Sequence, residues 1–397
     1  VKKWIGLLIV VCGLLSSPLA ADEWVEMDAK QNVSLDKSWE ITFDKPVKRG
    51  TIHSKSVYAV DSNGNQLFLA TYLSDDRETV NVLPPADFYT PGERYELFVE
   101  MTIESEEGKT LAEGYRLPFS IDPTDTKPNP LPSYEGADFI GEVTVDSRLR
   151  VRSEPSTESD DTVIGHVYNG DQLPIYDIDG FWVETEIEVD DEMKTAYLHK
   201  DYLKLYHASG QLLKDIRIVI DAGHGGSDNG ASVYEPETIR EKNINLPVAK
   251  KVRDNLEKLG ANVYLTREDD TYISLDERVV LARNFYNDLF VSIHANAMSD
   301  EKIHGAETFY SRTKSGNSTH SLYLADGLQN QLTSLAEMRH RRVDSAKFRV
   351  IHDNPSTASL VELGFMTNQD DLSRLLDDDY QQLFADAITQ GIINYYQ

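Results

Sequence analysis

The sequence predicts a multidomain protein in which two small all-β domains precede an α/β domain with a mixed, mostly parallel sheet and helices on both faces. Three observations lead there. The chain of 397 residues exceeds one ordinary hydrophobic core. Its first half is filled with short alternating strand patterns, whereas from Leu212 onward apolar strand runs alternate with helical periods. A proline- and acid-rich stretch, DPTDTKPNPLPSYEG, carries no apolar period and separates the first group of strands from the second.

At the N-terminus two lysines precede an apolar run from Ile5 to Leu15, followed by small residues and a polar switch at Asp22. That layout predicts a signal peptide over residues 1–21 and a secreted protein. The run is shorter than the roughly 20 residues of a membrane-spanning helix, so no stable membrane anchor is expected. Cys12 is the single cysteine, which leaves the remainder to hold together by core packing or metal rather than disulfides. A formal charge of −28 argues against nucleic acid as a partner.

Residues 22–122 read as a β-sandwich: SWEITFDKP, SVYAVDSNGNQLFLATY, TVNVLPPADF, RYELFVEMTI and YRLPFSI alternate, and Asp61 to Asn65 with a central Asn-Gly reads as a hairpin turn. These segments resemble bacterial immunoglobulin-like modules, whose role here is that of a spacer or of a contact with wall or partner. Residues 123–137 form the linker. Residues 138–206 read as a small barrel. LRVRSEPSTES, GFWVETEI and TAYLHKDYL in it resemble a bacterial SH3-like module of the wall-targeting type. Tyr176, Phe181, Trp182, Tyr197, Tyr202 and Tyr206 are candidates for a recognition groove, although burial is the expectation for each one in so small a barrel.

Residues 212–397 form the α/β domain. IRIVIDAG, ANVYLTR, DLFVSIHAN, GAETFYS and SLVELGF read as strands; EKNINLPVAKKVRDNLEKLG, SLYLADGLQNQL and QQLFADAITQGIINYY read as helices. Ser274 and Glu277 form a capping-box signature at the start of a helix running through Asn284. Ligands of open α/β sheets bind beyond the carboxyl ends of the strands. Four polar residues fall at such places: His224 after IRIVIDAG, Glu241 at the opening of the next helix, His294 at the end of DLFVSIH, and Glu362 within SLVELGF. Two imidazoles and a carboxylate suit a catalytic zinc, which keeps three protein ligands. Glu241 also suits a helix N-terminus as a bare negative charge. An acid that interrupts an apolar strand is costly to bury without a role, which singles out Glu362.

VIDAGHGGSDNGA, EKNINLPVAKKV, LTREDDTYISLDERVVLAR, DLFVSIHANA, GAETFYS and SLVELGFMTNQDDL resemble, in order and spacing, the zinc-dependent N-acetylmuramoyl-L-alanine amidases. The resemblance spans Ile216 to Gln397. It implies that His224, Glu241 and His294 bind Zn2+, that Glu362 is the catalytic carboxylate, and that Asn296 lies near the substrate. The implied reaction is cleavage of peptidoglycan between the lactyl group of N-acetylmuramic acid and L-alanine of the stem peptide, outside the cell or in its wall. The SH3-like module, with the immunoglobulin-like one as a second option, would hold the cell wall. Some relatives carry a blocking helical insertion before the glutamate strand; no room for one is evident here, so no activator is expected. The basic run MRHRR at 338–342 reads as a turn and as a solvated charge run in preference to a contact for stem-peptide carboxylates. His304, His320, His340 and His352 match no ligand position. The competing readings are a wall-binding protein whose amidase-like domain is inactive and a zinc peptidase acting within the stem.

Overall fold

The computed structural model describes residues 8–11, 24–74, 76–85, 87–125, 134–145, 148–233, 238–312 and 318–397. The expected signal segment therefore lies outside the described residues except at 8–11, and the expected linker except at 123–125 and 134–137. No helix among the described residues is long and apolar enough to cross a membrane. The chain divides into two compact units.

The first unit holds the N-terminal strands together with residues 331–338 and 376–390. Its strands form two sheets. Leu8–Val11, Trp39–Phe43, Thr79–Val82 and Thr71–Leu73 build one; Gly114–Ile121, Arg94–Val99 and Val57–Asp61 form the middle of the other. Strand alternation puts Trp39, Ile41, Phe43, Leu97 and Phe119 into a common core. The Asn-Gly turn is present: Val57–Asp61 pairs antiparallel with Gln66–Leu67, and Gly64 takes a φ of 83°. Arg49 is 1% exposed. It is tolerated there because its guanidinium donates to the carbonyl oxygens of Leu335, Ile52 and Thr71, at 2.6, 3.1 and 2.8 Å.

The second unit contains the strands of residues 139–207 and the α/β domain apart from residues 331–338 and 376–390. The former make a three-stranded and a five-stranded sheet. Here one expectation fails: of the six aromatic candidates only Tyr206 is buried, and the other five are half-exposed. The core is filled instead by aliphatic residues such as Ile140, Val151, Val183, Ala196 and Leu198. Pleat alternation puts Val183 inward and its neighbour Trp182 on the opposite face, and does the same for Ala196 and Tyr197.

In the α/β domain the strands β1 (Arg217–Ala222), β2 (Asn262–Leu265), β3 (Leu289–Asn296), β4 (Ala306–Tyr310), β5 (His340–Ser345) and β6 (Thr357–Phe365) form one sheet in the order β2-β1-β3-β6-β4-β5. Pairing is parallel from β2 to β6; β4 runs antiparallel to β6, and β5 parallel to β4. The helices are α1 (Lys242–Lys258), α2 (Leu275–Asn284), α3 (Ser318–Ser334), α4 (Arg349–His352), α5 (Gln369–Leu376) and α6 (Asp378–Tyr396). β3 is buried at every residue except His294 and Asn296, and β6 at every residue except Glu362. Continuous burial is what a parallel strand covered on both faces requires. The polar exceptions stand at one edge of the sheet. A strand at His340–Ser345 corrects the reading of MRHRR as a turn: His340, Arg341 and Arg342 are part of β5. Their charges hide a β pattern, and the strand forms because β4 offers it a free edge.

Candidate active site

β1 ends at Ala222, and the chain must then leave the sheet at once to aim His224 back over the strand ends. His224 accepts a φ of 62°, and Gly225 and Gly226 follow with φ of 135° and 57°. A left-handed non-glycine residue is uncommon and costs strain, which concentrates where geometry is functional. Gly223 is needed for space: a Cβ there would stand 2.3 Å from the His294 ring. At Gly230 a Cβ would stand 2.5 Å from Glu241 Oε2.

Below this loop lies a buried polar clamp. Asp221, fully buried, accepts hydrogen bonds from Arg278 at 2.5 Å, Thr266 at 2.6 Å and Ser292 at 2.6 Å. Burial alone would push its carboxyl up, but Arg278 and the two hydroxyls hold it below the ordinary aspartate value. Arg278 also donates to the carbonyl oxygens of Ala222 and His224, and Arg267 to those of Ala222 and Gly223. Two guanidinium groups thereby fix the backbone that carries His224. Asp221, Arg267 and Arg278 were not singled out from sequence, although Asp221 interrupts an apolar strand just as Glu362 does.

His224, Glu241 and His294 come together as expected, with one donor atom from each within 4.8 Å of the others. Glu241, 4% exposed, places Oε2 3.1 Å from His224 Nε2 and Oε1 2.8 Å from His294 Nδ1. Burial works against its charge, yet the two imidazoles hold its carboxyl well below the usual range. Asp228 Oδ2 lies 2.8 Å from His224 Nδ1, which fixes the ring and leaves Nε2 turned to Glu241. Two imidazoles and one buried carboxylate converging on one point form a donor set that fits zinc. Among the described residues, His304, His320, His340 and His352 join no second cluster of this kind.

Glu362 stands opposite His294 in the β3/β6 register. Its Oε2 is buried and finds no hydrogen-bond partner among the described residues, while part of the side chain opens into the adjoining cavity. Burial, with help from the negative charges of Glu241 and Glu307, raises its carboxyl well above the usual value; Arg342 opposes the rise. Asn296 reaches the same region and donates from Nδ2 to Glu307 Oε2 at 3.1 Å. Glu307, fully buried on β4, is a further residue that the sequence reading passed over.

The cavity beside Glu362 has a volume of about 290 Å³. His224 and His294 line it, and Tyr272, Leu275 and Phe348, respectively 51%, 57% and 42% exposed, surround its mouth. Apolar side chains left open to water around a polar centre are what an organic substrate would cover. A larger cleft of about 450 Å³, lined in part by Phe139, Tyr176 and Asn262, contains none of the donor cluster. The chemistry, rather than the size, identifies the site.

Residues 218–394 match the family model described as N-acetylmuramoyl-L-alanine amidase, and residues 24–121 match the one described as bacterial Ig-like domain. An uncharacterized protein of Bacillus subtilis, YqiI, is 42% identical over 179 residues, which cover 45% of this chain and 84% of that protein. The probable cell wall amidase LytH of Staphylococcus epidermidis is 29% identical over 266 residues, covering 64% of this chain and 84% of LytH. A crystal structure of an N-acetylmuramoyl-L-alanine amidase from Clostridium difficile 630 is 34% identical, with a TM-score of 0.43, and covers 46% of this chain and 97% of that structure.

Proposed function

Because the chain belongs to the N-acetylmuramoyl-L-alanine amidase family, we propose that it hydrolyses peptidoglycan at the amide between the muramic acid lactyl group and L-alanine, with zinc on His224, Glu241 and His294. The convergence of that donor set beside a glutamate whose Oε2 is buried and finds no hydrogen-bond partner among the described residues is the observation that carries the reading. When bound, zinc supplies a Lewis acid that polarises the scissile carbonyl and acidifies water. Glu362 accepts a proton from the attacking water as its oxygen bonds to the carbonyl carbon. It returns that proton to the alanine nitrogen as the carbon–nitrogen bond breaks, leaving a lactyl carboxylate and a free amine.

The remaining assignments form part of the same proposal. Residues 1–21 direct secretion, and the protein works outside the cell or in its wall. Residues 138–206 are an SH3-like module that holds the wall; the eight strands of 139–207 and the length of the alignment with LytH, which extends past residues 218–394, support a second structured region there. The immunoglobulin-like module is a second wall contact. Asn296 borders the substrate. The cavity beside Glu362 is open, which supports a site that needs no activator.

Digestion of purified peptidoglycan tests the reading. Mass spectrometry of the released ends should find stem peptides beginning with free alanine, lost on chelation and restored by zinc. Release of other stem termini would favour a peptidase. No release by folded, zinc-loaded protein would favour the wall-binding reading.

A further inference from the structure

Arg341 and Arg342 both reach the buried Glu307 carboxylate from β5, while their side chains stay 28% and 41% exposed. The β-sheet registers pair His294 with Glu362, Glu362 with Glu307, and Glu307 with Arg342. These four residues thus form one row across β3, β6, β4 and β5, and directly opposed residues share a face of the sheet. The buried Glu307 carboxylate receives Arg341 Nε at 2.5 Å and has Arg342 Nε at 2.8 Å. Two guanidinium groups meet one buried carboxylate, and the second acid within ion-pair range, Asp344, is 3.8 Å from Arg342 and 56% exposed.

The guanidinium of Arg342 is held by more than the ion pair, since it also lies over the Phe309 ring at 5.2 Å. Its Nε and Nη2 face Glu307, whereas among the described residues Nη1 has only Asp344 at 3.8 Å, too far for a hydrogen bond. Its side chain is 41% exposed. A guanidinium fixed by Glu307 and the Phe309 ring, with an edge left open, is suited to a carboxylate. The spacing agrees with a peptide bound across the strand ends. Two strand intervals set Arg342 about 9.5 Å from Glu362 in the sheet. A carboxylate on the residue after the alanine lies about 7 Å from the scissile carbon in an extended stem, and the arginine side chain spans the difference.

We infer that Arg342, oriented by Glu307, is a specificity-determining residue that binds a carboxylate on the stem-peptide residue following L-alanine; this rests on the amidase reading above. The test compares two soluble muropeptides that differ only in whether that carboxylate is free or amidated. The full zinc-loaded chain should cut the free acid with a kcat/KM about 10- to 100-fold higher, carried mainly by KM. Arg342→Gln should lose that preference and bring the two substrates within about threefold of each other, while Arg342→Lys, with charge but no fork, should keep part of it. Zinc content and melting temperature, measured alongside, separate this loss from general damage. Equal wild-type rates on the two substrates overturn the inference even if the variant fails to fold, and so does an equal loss on both in the variant. If the wild type cuts neither muropeptide, the amidase reading itself falls.

Discussion

Glu362 occupies the one position in β6 that is not buried, and in the proposed reaction it takes the proton of the attacking water. Replacing it with Gln keeps the shape and removes the base. Zinc content of the E362Q protein should equal that of the wild type, while turnover of muropeptide falls about 10²- to 10⁴-fold; a variant that stayed near full activity would show that the base lies elsewhere. This residue was legible because an acid inside SLVELGF has no cheap structural reason to be there. The same argument applies to Asp221 in IRIVIDAG and to Glu307 in GAETFYS, both fully buried and both paired with arginines. Those pairings were not legible. Arg278 lies far from Asp221 in sequence and Arg342 far from Glu307, and no periodicity links partners that meet only through the sheet.

α2 shows what a single helix end contributes to the site. Ser274 Oγ accepts from the Glu277 backbone N–H at 3.3 Å, and the Glu277 carboxylate accepts from the Ser274 N–H at 2.9 Å, so the predicted capping box is present. One turn later the helix delivers Arg278 to Asp221 and to the carbonyl oxygens beneath His224. Ser274→Ala should cost about 1 kcal/mol, read as a lower melting temperature, with zinc still bound because Arg278 keeps its buried partners. A loss of zinc at unchanged stability would instead place the cap in the metal site. Local signals of this kind made α1, α2 and the buried strands readable: their information lies within a few residues. β5 was misread because its partner strand β4, not its own composition, makes HRRVDS extended. The turn assigned to MRHRR contained the two arginines that finish the charged row.

The sheet of the α/β domain and the strands of residues 139–207 belong to one unit, and a buried ion pair is part of its interior. Lys200 and Asp288 side chains are 2% and 5% exposed with Nζ 2.5 Å from Oδ1; Lys200 also donates to the Tyr286 carbonyl oxygen, and Asp288 accepts from the Arg217 N–H. Lys200→Met should leave that carboxylate buried without its cation, at a cost of about 3–5 kcal/mol. The expected result is a large drop in a single melting transition. Two separated transitions, with only the lower one moved, would mean that the strands and the α/β domain fold independently. The charged row has a bearing on when chemistry becomes possible at all. His224, His294, Glu307, Glu362 and Arg342 come from five strands or strand ends, and none of the distances between them exists until distant parts of the chain have paired in register. A nascent or partly folded chain therefore has neither the three-donor cluster nor Glu362 beside it. The tertiary fold serves as the safety catch of this hydrolase, released by the completion of folding itself.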